Sequence, residues 1–271
     1  MTTGPRDDTD APPFEAIAGT AKSGIVLICD HASNRIPQDL QDLGLDSEAL
    51  RLHVAWDIGA AGLTRSLAAR LGAPAVLSRV SRLVVDCNRA PGHATSMPAV
   101  SHGVTVPGNR DLSPHERARR TQRYFEPYHR AVGEALAAIE AAGATALLVS
   151  VHSFTPVLGE RARPWHCGVL YDRDRRLAEY FLRALSAERD LVVGDNEPYS
   201  GAHPEGYTCR RHGDAFGRPN VLIEVRQDLI NDDAGVAAWA ARLGAILAGA
   251  ALRVGDRGAR PRAATAAPGA A

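Results

Sequence analysis

The stretch "GIVLICDHASN", Gly24 to Asn34, opens with five apolar residues, Ile25 to Cys29, and breaks at once into Asp30, His31 and Asn34. A short continuous apolar run of this kind reads as a strand covered on both faces, the signature of a sheet enclosed between helices. Polar groups that dislike burial then stand where the strand ends. The same junction recurs along the chain. "TALLVSVHSF" (145–154) delivers His152 and Ser153 after an apolar run, and "NVLIEVRQDLI" (220–230) delivers Glu224 and Arg226. "APAVLSRVSRLVVDCNR" (73–89) reads as two short strands, the second, Leu83 to Asp86, ending at Asp86, Asn88 and Arg89. "HCGVLY" (166–171) and "LVVGDN" (191–196) supply further short strands.

Helical patterns separate these runs. "WDIGAAGLTRSLAARLG" (56–72) places Ile58, Leu63, Leu67 and Leu71 on one face and closes on Gly72 as a C-cap. "SPHE" (113–116) is a capping box with proline at the first helical position. Phe125, Tyr128, Val132, Leu136 and Ile139 continue its apolar stripe to Gly143, with a bend expected at Pro127. "DRRLAEYFLRALSA" (174–187) and the segment from Asp232 complete the set of helices. Strands alternating with helices predict an α/β fold: a single-domain three-layer sandwich with a mixed, largely parallel sheet flanked by helices.

The domain is expected over residues 14–254, between a disordered acidic, proline-rich segment at 1–13 and a disordered Ala/Gly/Pro/Arg-rich tail at 255–271. Residues 90–112 lack any period and read as a functional loop. In 271 residues, 45% hydrophobic and 23% charged, the formal net charge is zero, which gives no electrostatic reason to expect nucleic acid or an anionic membrane as partner. No apolar run is expected to approach the roughly 20 residues of a membrane span. The start of the chain lacks the basic and apolar regions of a secretory signal. Four scattered cysteines without a C-x-x-C spacing suggest reduced thiols, and with them a cytoplasmic location.

In open α/β sheets ligands bind outside the carboxyl ends of the strands. That edge receives His31, Asp86, Asn88, Arg89, His152 and Glu224. Two histidines need a third ligand to make an open zinc site. Asp57, at the start of the helix after the first strand, is the first choice; Asn34 and Asp30 remain rivals, and Asp30 is equally suited to orienting a ligating histidine. One Zn2+ held by His31, Asp57 and His152 would leave a position for water, with Glu224 as general base. The bland alternative for Glu224 is an ion pair with Arg226 or Arg210. His53 is expected at the surface or behind the ligands, and His93 and His102 in a lid. His203, in the polar loop after 196, is a candidate oxyanion donor.

"CDHASNRIP", "HVAWDIGAAGLTRSLAARL", "VVDCNR", "VSVHSF" and "VLIEVRQDLI", in that order over residues 23–250, resemble the N-formylglutamate amidohydrolase family, and more distantly zinc amidases and carboxypeptidase-like or aminoacylase-like enzymes. The resemblance implies a zinc-dependent hydrolase that cleaves the amide of an N-acyl acidic amino acid, releasing formate and glutamate in the family's eponymous reaction, a step of histidine degradation. It implies that His31 and His152 bind the metal, that Glu224 is catalytic, and that Asn88 and Arg89 grip a substrate carboxylate; Asp86, Arg226 and Asn34 are further candidates for substrate binding. The protein would work as a monomer or homodimer. Carboxypeptidase-like relatives carry a glutamate three residues after the first histidine, where this chain has Asn34, so the middle ligand has to come from elsewhere. A metal-free binding protein for small acidic molecules and a peptidoglycan or peptide amidase are the competing readings. A serine hydrolase is disfavoured because no G-x-S-x-G elbow is present, and a two-His-one-carboxylate iron oxygenase because this is not an all-β pattern.

Overall fold

The computed structural model describes residues 12–202 and 204–258, the last four as helix backbone only. In chain order the strands are β1 (Phe14–Ile17), β2 (Ile25–Cys29), β3 (Ala75–Ser78), the hairpin β4 (Val100–Ser101) and β5 (Val104–Thr105), β6 (Leu147–Phe154), the hairpin β7 (Val157–Leu158) and β8 (Arg161–Ala162), β9 (Cys167–Leu170), β10 (Val193–Asp195) and β11 (Asn220–Arg226). The helices are α1 (Ala60–Leu71), α2 (Pro114–Arg120), α3 (Glu126–Ala141), α4 (Arg176–Leu185), α5 (Tyr207–His212) and α6 (Asp233–Gly258).

Seven strands form one sheet in the order β1-β3-β2-β6-β11-β9-β10. Strands β3, β2, β6 and β11 run parallel, while β1 pairs antiparallel with β3 and β9 antiparallel with β11. Every residue of β2 and β6 is buried, and pleating divides them between two cores. Ile25, Leu27 and Cys29 join Leu147, Val149 and Val151 under α1, α4 and α6, whereas Val26, Ile28 and Leu148 meet Tyr128, Val132 and Leu136 of α3. Two-sided burial is why these strands carry no polar alternation, as expected for the centre of a sandwich.

The helix starting at Ser113 is capped as its sequence predicts, with Ser113 Oγ accepting from Glu116 N. It does not run unbroken to Gly143: a π-helical turn over Thr121–Phe125 separates α2 from α3, directly ahead of Pro127. Proline lacks the N–H of a regular ladder and clashes with the preceding turn, and a wide turn accommodates both. The polypeptide around Leu83–Asp86 is a buried turn, not a strand. Leu83, Val84 and Val85 are apolar because they fill the α3-side core, and a buried irregular segment gives the same apolar run as a strand.

Helix α6 reaches Gly258, into the region expected to be tail; residues 1–11 and 259–271 lie outside the described residues. Over Asp233–Val254 the mean hydropathy of α6 is 1.5, so by length and composition it is long and apolar enough to cross a membrane, contrary to the sequence expectation. Its Trp239, Ala240, Leu243, Leu247 and Ala250 are buried in the core, and its many alanines raise hydropathy without adding bulk. All four cysteines are free and buried.

Candidate active site

Register assembles the site. In the parallel pair β6–β11, His152 stands opposite Glu224, so both side chains leave the same face of the sheet at the same level. Strand β2 ends one step further along the same edge, and Asp30 and His31 follow it directly. Asp57 arrives ahead of α1 in a turn tied by its N–H to the carbonyl of His31 at 3.0 Å. Gly59 permits the turn: its φ is +82°, and a β-carbon there would strike the carbonyl of Ile230.

His31, Asp57 and His152 are all buried, and one ligand atom from each lies within 4.8 Å of the others. Asp57 Oδ2 is 3.2 Å from His31 Nδ1 and 2.7 Å from His152 Nδ1. The outer nitrogens are backed by other carboxylates. His31 Nε2 is 2.7 Å from Asp86 Oδ1, and His152 Nε2 is 3.1 Å from Asp30 Oδ2 and 2.9 Å from Ser150 Oγ. Carboxylates on the far nitrogens fix each ring so that Nδ1 faces inward, the usual support for metal-binding imidazoles. Two imidazole nitrogens and a carboxylate oxygen form a donor set suited to a divalent ion.

The electrostatics carry the same message. Burial alone would raise the Asp57 carboxyl, but the charge of His31 and the hydrogen bonds from His152 and His31 hold it far below the usual carboxylate range. Burial would lower His152; Asp30 and Asp57 on its two nitrogens instead push it up to about 10. Asp30, also buried, is held down at about 2 by His152, His31 and Thr208. Positive charge is thus strongly favoured between these carboxylates.

Glu224 faces the same cavity with Oε2 buried and unpartnered. Burial pushes its carboxyl up to about 7. The ion pairs weighed against a functional role do not form: Arg226 pairs with Asp228, and Arg210 donates to the carbonyls of Gly201 and Glu205. The cavity holds about 120 Å³ and is bordered by His31, Asp57, His152, Glu224, Arg82 and Arg89 among others.

Of the other residues expected here, Asn88 borders the cavity and its Oδ1 accepts from Thr208 N. Arg89 borders it too, with Nη2 3.3 Å from Glu205 Oε1. Asp86 sits behind His31, its oxygens taken by His31, Arg82 and Asn88 N. Asn34 does not join the site: its Nδ2 donates to Leu50 O at 2.8 Å, a tie between loops. Arg226 likewise turns away to Asp228. Asp30 takes the orienting place behind His152, which leaves Asp57 facing both rings. His203 lies outside the described residues.

The residues that the sequence does not point to take their place through contacts distant in the chain, although Arg82 also meets Asp86 four residues on. Arg82 donates to Asp86 Oδ2 at 3.0 Å and reaches Asp57 Oδ1 at 3.4 Å. Tyr128 and Thr208 both donate to Asp30 Oδ1, at 3.0 and 2.7 Å. The parity of β6, which puts Ser150 on the His152 face, was the one legible hint. His53 and His102 both border the cavity with ring centroids 5.2 Å apart.

A family profile described as N-formylglutamate amidohydrolase matches residues 23–231. Among solved structures, gene product Atu2144 from Agrobacterium tumefaciens is 38% identical, with a TM-score of 0.87 over 91% of this chain and 98% of that one. The N-formylglutamate amidohydrolase from Ralstonia eutropha JMP134 shares the fold at 21% identity, with a TM-score of 0.68 over 91% of this chain and 99% of its own. No curated protein matches the sequence. The profile spans most of the sheet and every described residue of the buried His–Asp–His cluster, and the chain belongs to the N-formylglutamate amidohydrolase family.

Proposed function

We propose that this protein is a zinc-dependent amidohydrolase that cleaves the amide of an N-acyl acidic amino acid, with N-formyl-L-glutamate as the first substrate to test. The observation that carries the reading is the convergence of His31 Nδ1 and His152 Nδ1 on Asp57 Oδ2, each ring backed by a second carboxylate, beside the unpartnered Glu224. His31, Asp57 and His152 would hold one zinc, which when bound lowers the pKa of water toward about 7 and polarises a carbonyl.

Glu224 takes the proton of the attacking water: it is a buried carboxylate that faces the same cavity with Oε2 free of a hydrogen-bond partner among the described residues. As the amide C–N bond breaks, Glu224 returns that proton to the nitrogen, giving formate and the free amine. Burial keeps bulk water from competing for that proton. Arg89 takes a substrate carboxylate in place of Glu205, whose side chain is one-third exposed and can retire to solvent.

Elemental analysis of the purified protein, combined with a panel of N-formyl and N-acetyl amino acids, tests the proposal. About one zinc per chain, lost in His152→Ala, and turnover of N-formylglutamate are the expected results. A metal-free protein that binds acidic ligands without hydrolysing them would return it to the binding-protein reading.

A further inference from the structure

Two guanidinium groups border the cavity, Arg82 and Arg89, and both are already paired; a third, Arg163, stands behind two of its walls. Arg82 lies against Asp57 and Asp86, and Arg89 against Glu205, Thr95 and the carbonyl of Asn88. Arg163 differs. It follows the β7–β8 hairpin at the carboxyl edge of the sheet, is only 8% exposed, and has no carboxylate partner among the described residues. Its Nη1 donates to Tyr199 Oη at 2.8 Å, and its guanidinium lies 4.8 Å from the Tyr199 ring centroid and 5.9 Å from that of Phe154. Both rings line the cavity.

A buried cation without a counterion is costly, and aromatic faces compensate it only in part. A guanidinium has five N–H donors, of which one is used on a side chain here. Tyr199, having accepted from Arg163, keeps its own hydroxyl proton to donate. An anion entering the cavity beside Tyr199 would therefore meet the phenol, with the Arg163 guanidinium directly behind it.

We propose that Arg163 and Tyr199 are the receptor for the second carboxylate of the substrate, so that the cavity selects N-acyl amino acids bearing two carboxylates. Arg89 takes one by displacing Glu205, and the Arg163–Tyr199 pair takes the other. This rests on the amidohydrolase reading above and adds the specificity determinant to it. A donor pair matched to a carboxylate rejects a neutral amide, which brings no charge and turns an NH2 toward a donor, far more strongly than it would register a missing methylene.

The test compares N-formylglutamate with N-formylglutamine, which differs by one carboxylate turned amide. The unmodified protein should prefer the glutamate by about 10²-fold or more in kcat/KM. Arg163→Met should shrink that ratio to below about tenfold, chiefly through KM for the glutamate, with zinc content retained. Tyr199→Phe, which keeps both aromatic faces, should shrink it in the same direction by less, and it decides the matter if Arg163→Met does not fold. Binding of glutarate against its monoamide, followed by calorimetry, reads the same preference without turnover. Should hydrolysis be absent while glutarate binding still depends on Arg163, the receptor stands and the hydrolase reading falls. Should the glutamate-to-glutamine ratio, or with no turnover the glutarate preference, be indifferent to both substitutions, the receptor is overturned.

Discussion

A carboxylate oxygen buried without a partner, as Glu224 Oε2 is, costs a fold on the order of 1–3 kcal/mol, more when charged. A glutamine in its place fills the same space and carries no charge, so Glu224→Gln is expected to keep zinc and thermal stability while turnover falls at least about 10²-fold; near-normal turnover in that variant would remove Glu224 from the chemistry. Asp86 acts at one remove. With its Oδ1 2.7 Å from His31 Nε2, Asp86→Asn should weaken metal binding about 10- to 100-fold in a chelator competition, and an unchanged affinity would show that the ring needs no such support. Residues of this kind were only partly readable beforehand. His31, His152 and Glu224 announced themselves by ending apolar runs. Asp30 could be read only as a rival to Asp57 or as an orienting group, and Asp86 only as part of a substrate-binding set, because which ring nitrogen each carboxylate meets is set by the fold.

At the level of elements, two caps of different consequence can be compared. Ser113 caps α2 through Glu116 N, away from the cavity, so Ser113→Ala should cost about 1 kcal/mol, roughly 2–4 °C of melting temperature in a domain of this size, with metal content unchanged. Gly59 precedes α1 with φ at +82° against the carbonyl of Ile230, two residues from Asp57. Gly59→Ala combines an unfavourable backbone with a clash, and should lower the melting temperature more than Ser113→Ala while also reducing zinc content. Equal melting shifts with full zinc in both would contradict the view that the α1 entry turn aims Asp57. Ser113 was visible in sequence terms as a capping box, whereas the role of Gly59 emerged only from the structure. The π-helical turn was foreshadowed by Pro127, whereas the turn at Leu83–Asp86 was read as a strand because core filling makes the same hydrophobic run in either conformation.

The molecule as a whole is built around a sheet buried on both faces, and that burial reaches a second pair of histidines. His129 Nδ1 lies 2.9 Å from His212 Nε2, and His129 Nε2 is 2.9 Å from the carbonyl of Cys87, between α3 and α5. Burial lowers both, His129 to about 3 and His212 to about 4. Unfolding would restore them to about 6.5, so the unfolded chain binds protons that the fold refuses. Their contribution to stability is full above about pH 6.5 and is lost progressively as pH falls toward 4. Denaturant midpoints measured between pH 7.5 and 4.5 should fall accordingly, and His212→Asn should flatten that fall; an identical pH profile in the variant would remove the pair as its cause.

The sequence by itself determined the layers of this protein. Runs of apolar residues and helical stripes are local patterns, set by the pleat of a strand and the turn of a helix, and they specified an α/β sheet with polar groups at its carboxyl edge. Tertiary structure decided which of those groups meet. Whether His152 faces Glu224, whether Asp57 or Asp30 stands between the rings, and whether Arg163 meets a carboxylate among the described residues depend on strand order, register and loop path. Those are contacts between residues far apart in the chain, and no period along it encodes them.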